Sequence, residues 1–203
     1  MKLAVTGGGG FIGSHVVDCL KAEGHEVMVI DFRARPHRSD VIFEDTDILD
    51  LSGMVAVTKG CDAIFHLAAV SNVNYALKHP VYTVNLNIGG TANVLEAAKI
   101  NGIGRVIFAS TVWVYTGTRD DGLLDEDVPF YIPDAGHVYT TSKIASEMLI
   151  HNYWQLYQQP FTILRYGIPY GPRMRDELVI PIFVRKASRG EPITITGDGS
   201  QYR

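Results

Sequence analysis

Four consecutive glycines, Gly7 to Gly10, with a fifth at Gly13, stand directly after the apolar run Leu3-Ala4-Val5 and directly before a segment of helical period. Glycines in that density call for a backbone turn too tight, or too closely packed, to carry a Cβ. Strand, glycine turn and helix in this order form the opening unit of a sheet whose strands are joined by helices.

The alternation then repeats. Residues 2–6, 26–31, 62–67, 105–110 and 161–165 have the length and composition of buried strands, and residues 11–23, 85–100 and 139–157 carry a helical period. Strands apolar on both faces and separated by helices predict an α/β fold, a doubly wound parallel sheet with helices on each side. Ligands bind such sheets beyond the carboxyl ends of the strands. Thr116 to Pro133, rich in Asp and Gly and without a period, is expected to be a surface loop leaving one such end. After Arg165 the chain is broken by Gly167, Pro169, Gly171 and Pro172. A helix is expected over 177–189 and one more strand over 193–196, which would have no local partner. The expected organisation is a main domain over 1–165 and the start of a second region over 166–203.

Eighteen basic and 22 acidic residues give a net charge of −4, spread without long runs of one sign, which argues against a nucleic-acid footprint. The apolar run after Met1 ends at glycines after a few residues, too short for a signal core or a membrane span. A cytoplasmic protein with no membrane partner is expected. Cys19 and Cys61 lie in apolar stretches without metal or redox spacing and read as buried thiols, so no metal site is expected.

Function begins at the glycines. Gly7 permits a tight turn, Gly10 lets the backbone approach a pyrophosphate, and Gly13 allows close packing of helix on strand. The first turn of the helix then offers unpaired N–H groups and partial positive charge to phosphates. Asp31 closes the second strand 18 residues after Gly13, where a carboxylate accepts hydrogen bonds from ribose hydroxyls and repels a 2′-phosphate. That favours NAD over NADP. Arg33 and Arg35 nearby are either solvated loop charges or the guanidinium groups of a phosphate-tolerant site.

Tyr139 and Lys143 are four residues apart at the start of a helix and share a face. An adjacent ammonium and a cationic nicotinamide would draw the phenol pKa down from about 10 toward neutrality, fitting Tyr139 as a general acid or base. Ser110 and Thr111 finish the fifth strand, and either hydroxyl is placed to orient a reacting oxygen or to cap the following turn.

Together, Thr6 to His15, Asp47-Ile48, Phe65-His66-Leu67-Ala68-Ala69, Asn87-Ile88-Gly89-Gly90-Thr91, Tyr139 to Lys143 and Leu164-Arg165-Tyr166 resemble the extended short-chain dehydrogenase/reductases, in particular their NAD-dependent sugar-nucleotide epimerase/dehydratase group. The resemblance implies that Phe11 and Ile12 join the glycines at the pyrophosphate. It further implies that Asp47 and Ile48 flank the adenine, that Leu67, Ala68 and Ala69 line the cofactor, and that Asn87 lies near it. Lys143 would bind the nicotinamide ribose, Tyr139 would be the acid/base, and the catalytic hydroxyl would fall on Thr111.

The same resemblance bears on the reaction. Dehydratases of this group carry Asp-Glu after the catalytic hydroxyl and decarboxylases keep a glutamate; here Val112 and Trp113 stand in those places. Neither can move a proton, which leaves an epimerase acting on a nucleotide sugar, similar to UDP-glucose 4-epimerases. A reductase or dehydrogenase of another carbonyl substrate, or an inactive cofactor-binding fragment, are the alternatives. Ile168 replaces an asparagine found in many relatives, and the stretch Gly197 to Arg203 resembles the middle of a longer motif, so the substrate region is expected to be truncated. Relatives dimerise through a four-helix bundle, for which 85–100 and 139–157 are the candidates. Ile144, Met148 and Trp154 would serve that homodimer interface or the core.

Overall fold

The computed structural model describes residues 1–117, 124–195 and 197–198. The chain divides into two compact units, Met1–Gly167 and Ile168–Arg203. The first holds six strands: β1 (Lys2–Thr6), β2 (Glu26–Ile30), β3 (Ile42–Glu44), β4 (Ala63–His66), β5 (Arg105–Thr111) and β6 (Phe161–Tyr166). All neighbours are parallel, in the order β3-β2-β1-β4-β5-β6. The doubly wound parallel sheet is as expected, with β3 added. Three residues, Ile42-Phe43-Glu44, gave β3 too little pattern to stand out.

The helices are α1 (Phe11–Ala22), α2 (Leu51–Val57), α3 (Val73–Lys78), α4 (Pro80–Val84), α5 (Gly90–Asn101), α6 (Val138–Tyr157) and α7 (Val179–Ser188). A π-helical turn, Asn85–Gly89, joins α4 to α5, and a 3-10 turn, Val112–Tyr115, follows β5. Of the loop expected over 116–133, residues 118–123 lie outside the described residues. In the second unit α7 matches the expected helix. The expected strand does not form over residues 193–195, and Thr196 lies outside the described residues. An isolated strand has no ladder to join.

Side chains alternate between the two faces of the sheet. Ala4, Met28, Ile30, Ile64, Val106 and Phe108 pack in one core with Met54 of α2, Val94, Leu95 and Ala98 of α5 and Ile150 of α6. Val5, Val27 and Val29 pack with Val17 and Leu20 of α1 on the other face. Cys61 is buried as expected, whereas Cys19 is exposed, because it falls off the face of α1 that buries Gly13, Ser14 and Val17. Among the described residues no helix is long and apolar enough to cross a membrane, and no group of three His, Cys, Asp or Glu could hold a metal.

The strand order reverses between β1 and β4, and there the glycine turn sits. Gly7 has φ of +70°, and a Cβ on it would lie 2.7 Å from the Ala68 nitrogen just beyond β4. A Cβ on Gly13 would lie 2.1 Å from the Gly7 carbonyl oxygen. Beneath this turn His66 is fully buried between two hydroxyls. Thr91 Oγ1 donates to the Asn87 carbonyl (2.5 Å) and therefore accepts from His66 Nε2 (3.0 Å). His66 Nδ1 then accepts from Thr6 Oγ1 (2.7 Å). Burial, helped by the charge of Lys143, lowers the His66 pKa to about 3, so the ring is neutral in the fold.

Gly13→Ala should cost about 1–3 kcal/mol, because the new methyl meets backbone rather than a movable side chain; an unchanged denaturation midpoint would contradict the packing described. His66 supplies a pH dependence of known sign. Its folded pKa is below its unfolded one, so its contribution is complete above about pH 6.5 and is lost as pH falls toward 3. Between pH 6.5 and 4.5 the wild type should lose about 2 kcal/mol more stability than His66→Gln. Parallel pH–stability curves for the two proteins would rule this out.

Candidate active site at the carboxyl edge of the sheet

The turn after β1 leaves a helix N-terminus without a side-chain cap, an arrangement that suits an anion. Gly10 caps α1 without a side-chain acceptor, leaving the first-turn N–H groups around Phe11, Ile12 and Gly13 to a ligand. Asp31 follows β2 and its carboxylate is fixed on three backbone groups: Gly9 N–H donates to Oδ2 (3.1 Å), and Arg33 and Ala34 N–H donate to Oδ1 (2.9 and 3.0 Å). The two arginines that left NADP open have other partners. Arg33 lies 5.2 Å over the Tyr82 ring and donates to its hydroxyl, and Arg35 lies 5.1 Å over the Phe43 ring.

Leu67 and Ala68 follow β4 beside this turn, their N–H groups donating to Thr6 O (3.1 Å) and Thr6 Oγ1 (3.3 Å), and Ala69 comes next in the chain. Asp47 accepts from Leu49 N–H (3.0 Å) with one carboxylate oxygen. Ile48 is buried in the α2–α5 core, so its side chain is structural and only its backbone is available to a base. Asn87 is fully committed: its Oδ1 accepts from Val70 N–H (2.8 Å), and its Nδ2 donates to Val70 O (3.1 Å) and Ser142 Oγ (2.9 Å). It ties the π-helical turn to α6 instead of presenting its amide to a ligand.

The second half of the site comes from β5 and α6. The two hydroxyls that end β5 part company. Thr111 lies at the Tyr139 phenol, where its hydroxyl draws the phenol pKa down, and accepts from Trp113 N–H (3.2 Å), while Ser110 donates to Glu147. His137 caps α6 by accepting from Thr140 N–H (3.2 Å), and its ring lies between Trp113 (5.5 Å) and Tyr139 (6.0 Å).

Tyr139 is 9% exposed and Lys143 3%. The Lys143 ammonium donates to Ala109 O (2.7 Å), 4.5 Å from the Phe108 ring and 6.0 Å from the Tyr139 ring centroid. Burial lowers its pKa to about 8, opposed by the charge of Glu147. From sequence, Lys143 together with a cationic nicotinamide is expected to draw the phenol down. In the protein burial dominates and holds Tyr139 above its ordinary value, with the Thr111 hydroxyl pulling the other way.

Two residues of this region went unrecognised as a pair. Glu147 is 1% exposed, and Arg165 of β6 donates to it from Nη2 (2.8 Å) and Nε (3.3 Å). A signal was present: Glu147 stands one helical turn beyond Lys143, which stands one turn beyond Tyr139.

The comparisons with known proteins agree with this geometry. A decarboxylase of UDP-N-acetyl-alpha-D-glucosaminuronate from Bacillus cytotoxicus is 35% identical over all of this chain and 66% of its own length. A UDP-N-acetylglucosamine 4-epimerase from Methanobrevibacter ruminantium superposes with a TM-score of 0.89 at 30% identity, covering 98% of this chain and 66% of that one. A dTDP-glucose 4,6-dehydratase from Streptomyces venezuelae, solved with NAD bound, superposes at 0.86 and 32% identity, covering 98% and 66%. The chain thus spans about two thirds of the length of these proteins. NAD is the cofactor, and the residues fit it: a glycine turn that backbone contacts close to any Cβ, an α1 N-terminus without a side-chain acceptor, and the fixed carboxylate of Asp31. The profile of the NAD dependent epimerase/dehydratase family matches residues 3–203, and the chain belongs to that family.

Proposed function

We propose that this chain carries the cofactor and proton-transfer half of an NAD-dependent nucleotide-sugar epimerase similar to UDP-glucose 4-epimerases. The observation that supports this most is the meeting of Thr111 and Tyr139 beside Lys143, with the non-ionisable Val112 and Trp113 next in the chain. Elimination of water or loss of carboxylate needs a further acid or base near Thr111, and those two side chains supply none. NAD, when bound, supplies the hydride acceptor and donor. Gly7, Gly10, Phe11, Ile12 and Gly13 would hold its pyrophosphate, Asp31 its adenosine ribose, Asp47 and the Ile48 backbone its adenine, and Leu67, Ala68, Ala69 and Lys143 its nicotinamide side.

Tyr139 Oη removes the proton from the sugar hydroxyl at the carbon being inverted and gives it back when the hydroxyl re-forms. Thr111 Oγ1 fixes that oxygen by a hydrogen bond. A positive charge bound against the phenol offsets the burial that holds its pKa up, so proton removal is coupled to the presence of cofactor. Residues 168–203 begin the substrate-binding region in this reading.

We further propose a homodimer through the helical segments 85–100 and 139–157, with Met148 and Trp154 exposed on α6, whereas Ile144 belongs to the core.

With UDP-glucose as substrate, formation of UDP-galactose without accumulating NADH is expected. Tyr139→Phe should lower turnover by about 10²–10⁴-fold while NAD affinity stays within a few-fold. Undiminished turnover in that variant would remove Tyr139 from the chemistry, and NADH formed in step with product would identify a dehydrogenase instead. For the oligomer, light scattering should give twice the chain mass; a monomer at micromolar concentration would exclude the dimer.

A further inference from the structure

The buried carboxylate of Glu147 has no part in the proton transfer just described, yet three donor groups of two residues converge on it. Ser110 Oγ–H donates to Oε1, and Arg165 reaches both oxygens from Nε (3.3 Å each) and Oε2 from Nη2 (2.8 Å). The remaining Arg165 nitrogen, Nη1, donates to Tyr115 OH (2.6 Å) and Glu126 O (3.0 Å), and the guanidinium lies 5.0 Å from both the Tyr115 and Phe130 rings. Glu147 is thus tied through Arg165 to the segment that leaves β5, and through Ser110 to the strand residue next to Thr111. On its own helix it stands one turn from Lys143. A carboxylate this deep costs several kcal/mol to desolvate, which only a saturated set of donors offsets.

We propose that Glu147, held by Arg165, is a positioning residue for the proton-transfer set: it locks the end of β5 against α6 and supplies the negative charge that keeps the Lys143 ammonium in its buried seat on Ala109 O. The inference rests on the reading of Lys143 and Tyr139 as the groups at the reacting centre. The titratable groups facing Lys143 are Tyr139 and Glu147 from α6 and His66 from β4, and of these only Glu147 carries negative charge at neutral pH. Arg165 approaches Glu147 from β6 and makes no contact of its own with the amine. Without the carboxylate, burial over Phe108 would deprotonate a larger fraction of the amine at physiological pH, weakening the charge with which it is to meet the cofactor ribose.

The test reads Lys143 directly and needs no turnover. Lysine ε-methylene carbons are followed by NMR against pH in the 203-residue chain, with Lys143→Met used to assign the resonance. The wild-type midpoint should lie near 8, and Glu147→Gln should move it down by roughly one unit. Ser110→Ala removes the hydroxyl contact and keeps the charge, so its midpoint should stay at the wild-type value. Should the unpaired guanidinium prevent Glu147→Gln from folding, Glu147→Gln/Arg165→Met removes both charges together and should still show a downward shift, smaller because a nearby cation leaves with the carboxylate. A folded variant lacking the carboxylate with an unmoved Lys143 midpoint overturns the proposal, as does an equal shift in Ser110→Ala. If Tyr139→Phe leaves epimerisation intact, the proposed reaction falls while the Lys143 midpoint still decides the role of Glu147.

Discussion

The close approach of Gly13 to the Gly7 carbonyl, at the point where strand order reverses, is the contact on which the cofactor side depends. It sets the start of α1 directly over the end of β1, so the uncapped first turn faces outward beyond the sheet. Gly7 in turn lies against the backbone just after β4, and Thr6 reaches from the same turn to His66. From His66 the hydrogen bonds run on through Thr91 to Asn87 and Ser142 on α6. The glycine turn and the helix bearing Tyr139 and Lys143 are therefore parts of one buried polar framework.

The Tyr139 side of the site follows from helical spacing. Tyr139, Lys143 and Glu147 recur at every fourth residue and so stack along one face of α6, against the end of β5. Each meets a different partner there: Thr111, Ala109 O and Ser110. Ser110 and Thr111, alike in sequence, thus meet residues two helical turns apart on α6.

Much of this was legible in the residues. Apolar runs identified five strands, and glycine spacing located the turn at the switch point, because both depend on local pattern. β3 was missed because three residues carry no periodicity, and a strand was expected at 193–196 where residues 193–195 form none, because β-favouring side chains do not supply a pairing partner. Sequence could not choose between Ser110 and Thr111 by chemistry, since both are hydroxyls. Nor could it show that the Asn87 amide is committed to Val70 and Ser142, or that burial raises the pKa of a phenol whose lowering was expected from Lys143 together with a cationic nicotinamide. Burial and hydrogen-bond saturation are properties of the packed chain, and no spacing rule reports them.

The central claim is that the glycine turn, Asp31 and the β4 edge already form an NAD site within these 203 residues. Calorimetric titration of the chain with NAD and with NADP tests it most directly. The account predicts one NAD per chain, bound at least about tenfold more tightly than NADP because a 2′-phosphate would meet the fixed Asp31 carboxylate. Equal affinity for the two, or no binding of NAD, would contradict it.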